Sequence, residues 1–126
     1  MPKKSHILIV EDEVALARAL KDRVVSSGFS AKIAYDGQEG LAIMAKKKPD
    51  LILLDILLPK LNGIEFLLKI KKRKSWADIP VIILSNYSAE DVVGQANKIG
   101  VVDYLVKSDT SLEKVTDMIK RILKHN

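Results

Sequence analysis

The chain has 126 residues, room for one domain, and 48% of them are hydrophobic, enough for a sizeable core. It contains no cysteine, which excludes disulfides, thiolate zinc sites and cysteine nucleophiles. The formal net charge of +5 is carried in short lysine clusters, Lys46 to Lys48 and Lys69 to Lys74, which read as solvated helix ends rather than a nucleic-acid or membrane patch.

The first apolar run, Ile7 to Val10, is continuous and predicts a strand buried on both faces. It is too short for the core of a secretory signal. A helix follows with Leu16, Leu20 and Val24 on one face, ended by Gly28 and apolar Phe29. Ala31 to Ala34 is a weaker second strand. Asp36 can cap a second helix that turns Leu41, Met44 and Ala45 inward. Leu51 to Leu54 is the third strand, and its apolar stretch runs on to Leu58, interrupted by Asp55. Nothing reaches the roughly 18 residues of a membrane span, so a cytoplasmic protein is expected. A loop with Pro59 and Gly63 leads to a third helix with Ile64, Leu67 and Leu68 inward.

Val81 to Leu84 is the fourth strand, with Pro80 at its entrance. Ser88 and Asp91 have the spacing of a capping box ahead of a fourth helix, which Gly100 ends. Tyr104 to Val106 is the fifth strand, and Leu112, Val115, Ile119, Ile122 and Leu123 form the stripe of a fifth helix. Strict β-α alternation predicts an α/β domain spanning residues 1–126, with a five-stranded parallel sheet between helices.

Function in such sheets gathers beyond the carboxyl ends of the strands. Four strands are followed there by polar residues: Glu11 and Asp12, then Asp55, then Ser85, then Lys107. Singly, each has a plain structural explanation: Asp12 as a helix cap, Ser85 as a turn residue, Lys107 as one of 21 basic residues. Asp55 is the exception, because a charge inside an apolar stretch is costly unless paired or metal-bound. Crowded carboxylates repel by about 4 kcal/mol per pair at 4 Å and an effective dielectric near 20. A hard cation such as Mg²⁺ relieves this, held by Asp12 and Asp55 directly, by Glu11 through water, and by the backbone carbonyl of Leu57. Asp55 then suits nucleophilic attack on phosphorus, with Lys107 and Ser85 donating to the phosphoryl oxygens. No Gly-rich nucleotide loop is present, so the phosphoryl group must arrive on an activated donor.

The segments ILIVEDE, LILLDILLPKLNG, VIILSNYS and DYLVKS, in this order, resemble the receiver domain of bacterial two-component response regulators, close to the chemotaxis-type single-domain layout. The resemblance runs from Ile7 to Lys124. It implies a flavodoxin-like doubly wound fold with strand order 2-1-3-4-5. It also implies Asp55 as phosphoacceptor, Glu11 and Asp12 as the acidic pair, Lys107 as the phosphate-pairing lysine, and Ser85 and Tyr104 as switch residues. The implied partners are a sensor histidine kinase or histidine phosphotransfer protein upstream. Downstream, the surface of helix four, strand five and helix five would control a protein target or an output domain outside this chain, with homodimerisation on activation a further option. Such a protein is a phosphoacceptor switch rather than a conventional enzyme.

Four departures stand out: Glu11 where Asp is commoner, Ser85 for Thr, Asn86 for a small residue, and Ser108 for Pro after Lys107. Without that proline, the loop after strand five is expected to take a different path. Leu57 and Tyr87 stand at positions that tune dephosphorylation in the family. Three alternatives are weighed. A phosphorylation-independent interaction module would not need the full set of site residues. A phosphohydrolase would carry a second acid where Leu57 stands. A flavin carrier would need a phosphate-cradling first loop. His6 and His125 are poor phosphoacceptor candidates by position, and Trp76 reads as a packed loop residue rather than a docking anchor.

Overall fold

A computed structural model describes residues 4–124. Five strands, β1 (His6–Val10), β2 (Ser30–Ala34), β3 (Leu51–Leu54), β4 (Val81–Ser85) and β5 (Asp103–Val106), alternate with five helices. The helices are α1 (Val14–Ser26), α2 (Gly37–Lys46), α3 (Gly63–Lys72), α4 (Glu90–Ile99) and α5 (Leu112–Ile122). The strands pair in parallel in the order β2-β1-β3-β4-β5, the flavodoxin-like order that the resemblance implies.

Side chains alternate across a strand with a period of two, so continuous apolar runs feed two cores. Ile7, Ile9, Leu51, Leu53, Ile82 and Leu84 pack with Leu20, Val24, Val115 and Ile119 from α1 and α5. On the other face Leu8, Val10, Ile52, Leu54 and Ile83 pack with Met44, Phe66, Leu67, Ile70 and Ala96 from α2, α3 and α4. The helices therefore cover both faces and leave the strand ends open.

The predicted end of α1 is a full Schellman cap. Gly28 takes φ of 101°, its amide donates to Val25 and the Phe29 amide donates to Val24, and buried Phe29 and Val24 belong to one core cluster. Asp36 caps α2 by accepting from the Glu39 amide at 2.8 Å.

Three local expectations are corrected. Leu68 is 41% exposed, while Phe66 and Ile70 are fully buried, so the inward face of α3 keeps the expected Ile64 and Leu67 but extends toward Phe66 and Ile70 instead of Leu68. Ala45 is exposed on α2, where Gly37, Gly40 and Met44 are buried. The expected Ser88 capping box is absent: α4 begins after Ala89 with no side-chain cap, and Glu90 and Asp91 supply acidic charge to its first turn. The capping box stands instead at α3, where Asn62 and Glu65 bond each other's backbone.

Candidate functional site

Because all five strands are parallel, their carboxyl ends make one rim. The Glu11 amide donates to the Ala34 carbonyl at 2.9 Å and the Asp55 amide to the Val10 carbonyl at 3.0 Å. These bonds extend the ladders by one residue and fix both acids at neighbouring places on the rim. Gly63 presses against the same point, donating its amide to the Ile56 carbonyl at 2.8 Å.

Lys107 joins the two acids. Its Nζ lies 2.7 Å from Glu11 Oε1 and 2.8 Å from Asp55 Oδ2. The remaining oxygens take backbone donors: Asp55 Oδ1 accepts from the Ile56 amide at 2.7 Å, and Glu11 Oε2 from the Glu13 amide at 3.0 Å. Glu11 and Asp55 are only 2% and 5% exposed, so this pairing offsets the cost of burying their charge. Burial pushes the Glu11 carboxyl above its ordinary value, with the Asp55 charge adding to the rise and Lys107 opposing it. At Lys107 burial opposes the charge, but the hydrogen bonds to Asp55 and Glu11 outweigh it and hold the ammonium above its ordinary value. Burial thus wins at one partner and pairing at the other. Two carboxylate oxygens within 2.8 Å of one Nζ favour the charged pair.

Exposed Asp12 completes the cluster, with one oxygen each from Glu11, Asp12 and Asp55 lying within 4.8 Å of one another. One lysine leaves three carboxylates net negative. Oxygen donors this close, one of them open to solvent, fit a hard divalent cation that keeps several of its waters. Leu57, two residues beyond Asp55, has its side chain 58% exposed.

Ser85 is 1% exposed, and its Oγ accepts from the Tyr87 amide at 3.1 Å. The Tyr104 hydroxyl donates to the Tyr87 carbonyl. Burial and the Asp55 charge hold the Tyr104 phenol above its ordinary value. Tyr87 therefore links the two expected switch residues through its backbone, a connection no side-chain pattern announces.

His6 lies at the opposite edge, where Nδ1 meets Ser30 Oγ at 3.0 Å and burial lowers its pKa, helped by Lys47. Trp76 is 7% exposed beneath the Arg73 guanidinium, 4.1 Å from the ring centroid. His125 lies outside the described residues.

Residues 7–120 match the family model for the response regulator receiver domain. The chain belongs to the response regulator receiver family. This receiver is 34% identical over 124 residues to the transcriptional regulatory protein RprY of Bacteroides fragilis, covering 98% of this chain and 51% of that protein. It is 36% identical over 137 residues to the chemotaxis protein CheV3 of Helicobacter pylori, covering 98% and 42%. It overlays a CheY-like receiver domain protein of Methanospirillum hungatei with a TM-score of 0.89 at 27% identity, covering 97% of this chain and 95% of that one. The chain thus spans about half the length of the first two of these relatives or less. Membership places the receiver in two-component phosphorelay signalling, as a phosphoacceptor switch. Among the described residues no helix is long and apolar enough to cross a membrane.

Proposed function

We propose that this chain is a single receiver domain that takes a phosphoryl group from a phosphohistidine on a sensor kinase or phosphotransfer protein onto Asp55. The observation that carries the reading is the bridge of Lys107 Nζ to Glu11 and Asp55 at 2.7 and 2.8 Å, beside the three-acid cluster. An Asp55 carboxylate oxygen attacks phosphorus. The P–O bond forms as the P–N bond breaks, and the electron pair leaves with the imidazole nitrogen. Asp12 and Asp55 would hold Mg²⁺ directly, with Glu11 acting through water and the Leu57 carbonyl completing the protein donors. When bound, Mg²⁺ supplies positive charge to the phosphoryl oxygens.

Lys107 then exchanges its bond to Asp55 for one to a phosphoryl oxygen, and the Ser85 hydroxyl turns from the Tyr87 amide toward another. Releasing the Tyr87 amide loosens the backbone that Tyr104 grips. The α4-β5-α5 surface is thereby biased toward a second packing that a downstream protein or output domain reads. A cytoplasmic location suits such a partner set.

Intact-mass spectrometry tests this. With a small-molecule phosphodonor and Mg²⁺ the chain should gain one phosphoryl group, and Asp55→Ala should gain none. An unchanged parent mass, or equal gain in the variant, sinks the proposal.

A further inference from the structure

Two loops on the rim are tied together away from the acids. The Ser108 backbone amide donates to Asn86 Oδ1 at 2.9 Å, an ordinary length for N–H···O. Asn86 follows Ser85 directly and Ser108 follows Lys107 directly. The register explains how they meet: Ser85 pairs with Val106 across β4 and β5, so the chains leave the sheet side by side. The bond exists because residue 108 keeps an amide hydrogen, which a proline would lack.

The turn it grips is closed internally as well. The Thr110 hydroxyl donates to the Val106 carbonyl at 2.7 Å, and residues Lys107–Asp109 form a single 3₁₀ turn. Lys107 therefore leaves a short rigid arch, anchored sideways by Asn86, and its Nζ spans two acids. Its placement depends on that arch, because a long flexible stem does not aim itself.

We infer that Asn86 is a positioning residue: its side-chain oxygen clasps the Ser108 amide, so that the loops carrying Ser85 and Lys107 move as one unit and the lysine stays aimed at Asp55. The inference rests on the phosphoacceptor role of Asp55 for its kinetic half, and on the clasp alone for its structural half. Asn86 is exposed, so water competes for the bond. A neutral hydrogen bond open to water commands about a two- to fivefold effect.

The test compares Asn86→Ala, Ser108→Pro, Ser108→Ala and the double variant Asn86→Ala/Ser108→Pro with the parent chain. In the unphosphorylated protein, the Ser108 amide should exchange its hydrogen about two- to fivefold faster in Asn86→Ala. Equal exchange means the clasp does not hold in solution and overturns the inference. The rate of phosphoryl uptake from a small donor with Mg²⁺ should fall about two- to fivefold in Asn86→Ala and in Ser108→Pro. Ser108→Ala, which keeps the amide, should match the parent. The double variant should be no slower than either single one, because both remove one bond. Additive losses, parent-like uptake in both single variants, or a Ser108→Ala as slow as Ser108→Pro each overturn it. A parent that takes up no phosphoryl group removes the kinetic half together with the phosphoacceptor proposal, while hydrogen exchange still decides the clasp.

Discussion

Replacing Lys107 with methionine tests the electrostatics of the rim without any phosphoryl chemistry. Met keeps most of the volume of the aliphatic stem and removes the charge. The Lys107 side chain is 15% exposed, and those of Glu11 and Asp55 are 3% and 5% exposed. At their 2.7–2.8 Å separations, each contact is worth about 6 kcal/mol of raw attraction at an effective dielectric near 20. Much of that is offset by the desolvation of the ammonium, which the variant no longer incurs. The net loss on breaking a buried pair is ~3–5 kcal/mol. For a domain of this size that corresponds to a fall of roughly 10–20 °C in Tm.

The deficit depends on pH. The folded-state pKa of Glu11 lies above its ordinary 4.5, from burial first and from the Asp55 charge as well. Such a group binds its proton more tightly in the folded state, so its contribution is full below 4.5 and is lost as pH rises through the folded value. Removing Lys107, which opposes the rise, enlarges that loss. The variant should therefore be furthest below the parent at neutral pH, and the gap should narrow on acidification toward about pH 5. Thermal melts in a chelating buffer measure it. A deficit under about 1 kcal/mol at neutral pH, typical of an exposed pair, or one that widens on acidification, refutes the reasoning.

Two further substitutions bear on the scaffold. At Gly63 an added Cβ would collide with the Asp55 carbonyl oxygen and come within 2.7 Å of Ile56 Cα. Gly63→Ala should cost about 1–3 kcal/mol, as overpacking does, and slow phosphoryl uptake by displacing the start of the β3-α3 loop. Parent-like melting and uptake would contradict the close packing. Gly94 lies within α4 with nothing inside 4 Å of its missing Cβ, so Gly94→Ala should raise stability by about 0.5–1 kcal/mol. A lowered Tm would show that α4 needs that glycine for something other than helix packing.

Strand positions were readable because burial on both sides forces an unbroken apolar run, as in Ile7 to Val10 and Leu51 to Leu54. The rim residues were readable because a parallel sheet gathers whatever follows each run. Helix faces were harder. On the short α3, Ile64 and Leu67 do pack on the core as expected, but Phe66 and Ile70 join them there while Leu68 is exposed, and only packing selects which neighbours share the inward face. The Asn62 and Glu65 capping box was open to view, since the two residues stand at the required spacing. The Ser88 pair had that spacing too and went unused. The Tyr87 and Ser108 backbone contacts had no sequence signal, because any residue type except proline supplies the same amide.

Glu11 belongs to the first tenth of the polypeptide, Asp55 to its middle and Lys107 to its last fifth, yet one ammonium touches both acids. A nascent or clipped piece lacking the final β-α unit would lose this ammonium together with Leu105, Val115 and Ile119, which pack on Ile7, Ile9, Leu51 and Leu53 of the acids' own strands. One terminal unit thus completes both the charge balance of the rim and the packing of one of the two cores.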